Sequence, residues 1–181
     1  MLQRAVRLLA RRDMSRAELL ARLATARSAE SSADPADEAP ESPDVVSPGA
    51  PTDPAGDIEA ALVRLQALGL QSDSRFAENY VRGRQARTGS RRLVAELRHK
   101  GVDAETIDAA LAELAGSDLQ RARALWAGRF EFTRDPRERA RQMRFLAGRG
   151  FDPGVIRTVV GGTPEDDTSV VDDLPQQPAE D

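Results

Sequence analysis

Residues 97–111, LRHKGVDAETIDAAL, are the stretch of this sequence that decides the fold. The pattern returns at residues 146–160, LAGRGFDPGVIRTVV, with leucine, glycine and aspartate at the same spacing and no gap. A leucine four residues before a glycine is typical of a helix that ends on a left-handed glycine, and an aspartate soon afterwards is typical of a helix cap. The stretch therefore predicts a helix, a tight corner and a second helix, repeated along the chain.

A third, more divergent copy precedes these two. Residues 58–62, IEAAL, match residues 107–111, IDAAL, and Leu19 takes the place of Leu93. Once residues 28–56 are set aside as an insert, the period is about 45–50 residues, which is room for three helices. We expect an all-α fold of three tandem three-helix repeats forming an elongated curved module, in which neighbouring repeats bury each other's apolar faces. A single irregular helical bundle is the alternative.

The expected boundaries follow from this period. Repeat 1 covers residues 1–73 and contains the insert at 28–56, repeat 2 covers residues 74–116, and repeat 3 covers residues 117–160. An acidic tail, residues 161–181, completes the chain.

The second helix of each repeat has its own start signal. Ser15 with Glu18 three residues later resembles a capping box. Gly89-Ser90 stands at the equivalent place in repeat 2, and Asp135-Pro136 in repeat 3, with aspartate as cap and proline as the first helical residue.

Charge is sorted by segment. Residues 28–56 and 161–181 each hold seven acids and no base, and both are rich in Pro, Ser, Ala and Asp, a composition that predicts disorder. The other 131 residues hold all 26 bases and 16 acids, so they carry +10 although the whole chain carries −4. We expect a folded part with this positive charge to bind a polyanion or an acidic protein surface. All bases but Lys100 are arginine, which either a GC-rich genome or selection for phosphate contacts explains.

Several classes of function are disfavoured. Cysteine is absent, His99 is the one histidine, and neither a phosphate-binding loop nor a metalloprotease motif occurs. We expect no catalysis, no metal and no cofactor. The apolar runs are too short to span a bilayer, so no membrane association is expected. Residues 1–12 resemble an organelle transit peptide, but they also fit repeat 1, and we expect a cytoplasmic protein.

Repeat 2 carries a dense group of cations at the end of one helix and the start of the next. Stabilisation of a helix C-terminus by cations explains one or two of them, which leaves the others for a binding surface. The candidate binding residues here are Arg82, Arg84, Arg87, Arg91, Arg92, Arg98 and Lys100.

Repeat 3 also carries a group of arginines. Arg137, Arg141 and Arg144 share one helix face, and Arg139 lies between them. Phe145 points roughly opposite the expected apolar stripe, which leaves two alternatives: an exposed ring for stacking a nucleobase or a partner side chain, or a ring packed against another helix. Trp126 and Phe130 are expected in the core.

At this point three strings carry a resemblance to a known family: LLARRDMSRAELLARL at residues 8–23, LGLQSDSRFAENYVRGRQARTGSRRLVAELRHKG at 68–101, and RERARQMRFLAGRGF at 137–151. Together they resemble the RecX family, bacterial regulators of the RecA recombinase, over residues 1–27 and 57–160. The resemblance implies a monomer that binds RecA within the groove of the RecA–DNA filament, inhibits its ATPase, strand-exchange and co-protease activities, and also contacts single-stranded DNA.

The positions that match the family's basic motifs are Arg82, Arg84, Arg87, Arg91, Lys100, Arg139, Arg141, Arg144 and Phe145. The insert and the acidic tail depart from the family pattern. One hypothesis is that these acidic segments compete with DNA for the arginines, and the alternative is that they serve solubility and spacing alone. Two other functions stay open, an autonomous nucleic-acid-binding protein and a helical scaffold for another acidic protein.

Overall fold

The structure of the chain is a computed structural model that describes residues 1–31, 54–114 and 116–162. Within these ranges it contains α-helices, one 3₁₀ turn at Gln85–Arg87, and no strand. The helices are α1 (Leu2–Leu9), α2 (Arg16–Ser31), α3 (Pro54–Ala67), α4 (Asp73–Arg84), α5 (Ser90–His99), α6 (Ala104–Ala112), α7 (Asp118–Ala127), α8 (Pro136–Gly148) and α9 (Pro153–Gly161).

The prediction of an all-α fold made of three-helix repeats is confirmed. The nine helices in the described ranges follow one another as α1–α3, α4–α6 and α7–α9. Alanine, leucine, arginine and glutamate, which have high helix propensity, dominate their sequences. Among these described helices, none has the length and apolarity that crossing a membrane requires.

Both corners of the deciding stretch form as predicted. Gly101 has a φ of 74° and Gly150 a φ of 82°, the left-handed region that favours glycine. The amide after each glycine donates to the carbonyl of the leucine that lies four residues before it, at 3.1 Å in the first corner and 3.3 Å in the second. These bonds satisfy carbonyls that the helix end leaves open.

The helices after these corners are capped by aspartate. Asp103 accepts hydrogen bonds from the backbone N–H of Thr106 at 2.8 Å and from its hydroxyl at 2.7 Å, and Asp152 accepts from the N–H of Gly154 at 2.7 Å. The two bonds from Thr106 stabilise the ionised carboxylate, so they lower the pKa of Asp103.

The second helices begin where their start signals predict. The Ser15 hydroxyl accepts from the N–H of Glu18 at 3.1 Å, α5 starts at Ser90, and Asp135 accepts from the N–H of Arg137 at 3.1 Å in front of Pro136. The carboxylate of Glu18 pairs with Arg12.

The described chain divides into two compact units. The first unit is Met1–Arg82 with Val94–Glu113, and the second is Gly83–Leu93 with the described residues from Leu114 onward. The two units therefore divide residues 74–116, the expected repeat 2, between them.

One buried cluster of the first unit combines helices α1, α2 and α3. It contains Ala5, Met14, Leu19, Leu23, Ile58, Leu62 and Leu65. The core of the second unit combines α7, α8 and α9, and contains Ala122, Leu146, Phe151, Ile156, Val159 and Val160. Burying each of these larger side chains contributes about 1.5–3 kcal/mol, so the apolar faces hold each unit together.

The edges of the expected insert differ from the prediction. Helix α2 continues to Ser31, and the Ser28 hydroxyl donates to the carbonyl of Ala24 at 3.2 Å inside it. Helix α3 starts at Pro54, because proline suits the first turn of a helix. Residues 28–31 and 54–56 are therefore helical. The rest of the insert, residues 32–53, lies outside the described residues, as does the tail from residue 163.

Candidate binding surfaces

The predicted binding residues divide between the two units. The first unit holds Arg82, Arg98 and Lys100. The second unit holds Arg84, Arg87, Arg91, Arg92, Arg137, Arg139, Arg141, Arg144 and Phe145.

In the first unit, Lys100 differs from its predicted neighbours because its side chain is held inside the unit. Its ammonium lies 5.9 Å from the ring centroid of Phe76, 5.6 Å from that of Tyr80 and 3.7 Å from the Oε2 atom of Glu18. Its backbone carbonyl accepts a hydrogen bond from the Ser15 hydroxyl. These cation–π and ionic contacts stabilise the fold, so Lys100 is less available to a partner than the exposed arginines.

Arg82 and Arg98 are exposed. Arg82 donates to the Oδ1 atom of Asn79 at 3.3 Å, one turn earlier on α4. An exposed side-chain contact of this kind is exchanged for water at little cost, so both arginines remain suited to an outside partner.

In the second unit, the structure brings the arginines at the start of α5 to the end of α8. Arg92 donates to the carbonyl of Gly148 at 2.9 Å, and Arg149 donates to the carbonyl of Arg87 at 3.2 Å. Two sequence groups that lie about 60 residues apart therefore share one surface. Arg84, Arg87, Arg91 and Arg92 are all exposed.

Beside this surface lies an arginine–phenylalanine cluster, formed by Arg129, Phe130, Phe145 and Arg149. The two rings meet edge to face with centroids 5.1 Å apart. The guanidinium of Arg149 lies 4.4 Å from the Phe145 centroid, and that of Arg129 lies 5.2 Å from it. Guanidinium groups stacked on aromatic rings offer a flat cationic surface that suits both phosphates and nucleobases.

The loop between α7 and α8 is held in place by one buried amide. Gln142 is 3% exposed, accepts from the indole N–H of Trp126 at 2.9 Å, and donates to the carbonyl of Glu131 at 3.1 Å. Because both partners are fixed, the loop that carries Arg129 and Phe130 is positioned by the core.

Phe145 does not lie opposite the buried face of α8. The buried residues of this helix are Gln142 and Leu146, so its inward face lies next to Phe145. The Phe145 ring is half-buried and packs against the core and Phe130. Of the two alternatives for Phe145, an exposed ring or a packed ring, the structure therefore shows the packed ring. Trp126 also packs against this core.

The other predicted residues of repeat 3 lie along α8. Arg137, Arg141 and Arg144 are exposed and Arg139 is half-buried. Arg141 lies 3.4 Å from Glu138 in an exposed ion pair. Such pairs contribute little to stability, so Arg141 is free to exchange its partner for a stronger anion.

Arg129 and Arg149 are candidate residues that sequence reasoning missed. Arg149 follows Phe145 by four residues, a spacing that places both on one face of a helix and that indicates the contact. Arg129 reaches Phe145 across a loop, and no local pattern indicates that contact.

Within the described ranges, no group of three or more His, Asp and Glu side chains is placed to hold a metal ion.

An all-α array of three-helix repeats with exposed arginines defines a helical-repeat protein. Residues 72–111 match the family model for the second three-helix domain of RecX, and residues 117–160 match the model for the third. A relative called regulatory protein RecX in Chromobacterium violaceum is 40% identical over 91% of both chains. The chain belongs to the RecX family.

Further relatives with the same name agree. The one from Leptothrix cholodnii is 39% identical over 87% of this chain and 85% of its own, and the one from Chromohalobacter salexigens is 43% identical over 84% and 86%. The crystal structure of RecX from Lactobacillus salivarius superposes with a TM-score of 0.63 at 19% identity, over 88% of this chain and 92% of that one. At 19% identity the superposition supports the fold alone.

Proposed function

We propose that this protein regulates the RecA recombinase by binding RecA and the RecA–single-stranded DNA filament. The observation that carries the proposal is the 40% identity to a regulatory protein RecX over 91% of both chains. In this proposal the protein acts in the cytoplasm as a monomer, without cofactor or catalysis, and limits recombination, the SOS response and DNA repair by restraining RecA.

The arginines support this proposal. In each unit exposed guanidinium groups face solvent, and in the second unit they come from several helices rather than from one recognition helix. Spread cations suit tracking of a phosphate backbone or an acidic protein groove, whereas base reading uses a few side chains on one element. We further propose repeat boundaries at residues 73/74 and 116/117, since each repeat then encloses three helices, apart from Asp73 as the first residue of α4.

The decisive experiment measures the ATPase activity of RecA on single-stranded DNA while the purified protein is added below one molecule per RecA. We expect strong inhibition at these low ratios, because a regulator that caps or dismantles a filament affects many subunits at once. No inhibition at any ratio would reject RecA regulation.

A second candidate function is autonomous nucleic-acid binding, which the arginine–phenylalanine cluster favours because base stacking on aromatic and guanidinium planes needs no RecA. The same titration separates the two. Inhibition that begins only when the protein saturates the DNA supports this second candidate.

Deleting residues 161–181 tests the proposed competition between the acidic tail and DNA. Because the deletion removes seven acids and no base, we expect tighter single-stranded DNA binding and a steeper dependence of affinity on salt. The measurement is a fluorescence anisotropy titration at several salt concentrations. Unchanged affinity and slope would mean that the tail does not compete.

A further inference from the structure

We propose that one recurring contact joins successive repeats, in which the first aspartate of the helix that opens the next repeat caps the second helix of the repeat before it. The two joint aspartates are Asp73, the first residue of α4, and Asp118, the first residue of α7. Each joint lies inside one compact unit.

The first joint connects the start of α2 to the second repeat. The Oδ1 atom of Asp73 accepts a hydrogen bond from the backbone N–H of Arg16 at 2.8 Å. Beside it, the Ser15 hydroxyl donates to the carbonyl of Lys100 at 2.5 Å. The first free N–H of α2 therefore receives a carboxylate from 57 residues further along the chain.

The second joint connects the start of α5 to the third repeat. Asp118 accepts from the backbone N–H of Ser90 at 3.3 Å and from its hydroxyl at 3.0 Å. The N–H of Gly89 donates to the carbonyl of Arg149 at 2.9 Å. The buried guanidinium of Arg121 donates to the Ser90 hydroxyl at 3.0 Å and pairs with Asp118, which fixes the carboxylate.

The two joints occupy equivalent places. The leucine alignment of the repeats sets Arg16 on Ser90 and Lys100 on Arg149. Hence the same backbone N–H receives an aspartate in both joints, and the same backbone carbonyl receives a hydrogen bond. A single matching contact can arise by chance, whereas two contacts at aligned positions indicate that the two joints are built in the same way.

The residue before each joint aspartate explains why its carboxylate reaches outward. The Ser72 hydroxyl accepts from the N–H of Arg75 at 3.2 Å, and the Ser117 hydroxyl accepts from the N–H of Gln120 at 3.3 Å. Serine thus caps its own helix, and the following aspartate is left to cap the helix of the preceding repeat.

The third repeat differs from the first two at this position. Helix α8 begins one turn earlier than its counterparts, and its own Asp135 caps it. Arg139, the residue aligned with Ser90, has its N–H bonded to the carbonyl of Asp135 at 3.0 Å. The second helix of the third repeat therefore supplies its own cap.

The test compares Asp73→Ala with Ser72→Ala in the full chain, by backbone amide hydrogen exchange measured with NMR. Rates are divided by those of α3, which report opening of the whole first unit. Since losing a cap raises the population of frayed ends, we expect Asp73→Ala to speed exchange in the first two turns of α2 about five- to tenfold. Ser72→Ala should speed exchange at the start of α4 and leave α2 unchanged.

The opposite pattern overturns the proposal. If Asp73→Ala speeds exchange only at the start of α4, the aspartate acts on its own helix as an ordinary first-turn acid. Asp73 is preferred for this test because its other partner is the neutral side-chain amide of Gln71, at 2.8 Å. Removing Asp118 would instead leave the buried Arg121 without its ion-pair partner and destabilise the whole unit.

Discussion

Alanine in place of Gly101 is expected to lower the free energy of unfolding by about 2–5 kcal/mol. The left-handed backbone of this residue adds about 1–2 kcal/mol of strain for any side chain with a Cβ. The new methyl group would also overlap the Cβ of Ala17, and overpacking of this kind adds about 1–3 kcal/mol. Urea denaturation followed by circular dichroism measures the loss.

Gly69 provides the matched control in the same unit. Its φ of 66° is equally left-handed, but a Cβ there would meet nothing within 4 Å. Gly69→Ala should therefore lose only the strain, about 1–2 kcal/mol. Combining Gly101→Ala with Ala17→Gly should recover part of the loss, because the overlapping methyl is gone. Equal losses at Gly101 and Gly69 would contradict the close approach of the first corner to α2.

Replacing Arg141 and Arg144 together by alanine is expected to weaken binding to the RecA–single-stranded DNA filament about 10- to 100-fold without unfolding the protein. Both side chains are exposed, so their loss leaves the core intact. If each contacts a phosphate, the salt dependence of binding falls by about 0.7 per arginine as well. Anisotropy titrations at several salt concentrations measure both quantities.

Arg22→Ala with Arg64→Ala is the control, since both are exposed, lie outside the predicted surface, and change the net charge equally. We expect this pair to change affinity less than threefold. Equal weakening by both pairs would mean that net charge, rather than the position of the α8 arginines, governs binding. A loss of helicity in Arg141→Ala/Arg144→Ala would make those residues structural.

Local features of the fold were predictable from the sequence. The corners at Gly101 and Gly150, and the caps at Asp103 and Asp135, depend on residues within a few positions of each other. Backbone sterics and capping act over that same range, so a short pattern carries enough information to predict them. The continuation of α2 to Ser31 was missed because an acidic, proline-rich composition describes a segment, whereas helix ends are decided residue by residue.

The candidate surface was predictable only in part. Exposed arginines on α8 follow from helical spacing, but the hydrogen bond from Arg92 to Gly148 joins residues 56 positions apart. From its position in the sequence, Lys100 was predicted to be a binding residue like its exposed neighbours. In the structure its ammonium lies over two aromatic rings. Tertiary packing decides which cations remain available, and a single sequence does not encode that packing in any local pattern.

The two hydrogen-bonded aromatic side chains also have a spectroscopic consequence. Tyr80, the one tyrosine of the chain, donates to Glu96 in the first unit, and Trp126, the one tryptophan, donates to Gln142 in the second. Each unit therefore contains its own intrinsic fluorophore, and selective excitation of the indole reports the second unit alone. Unfolding of the two units can be followed separately in the unlabelled natural chain.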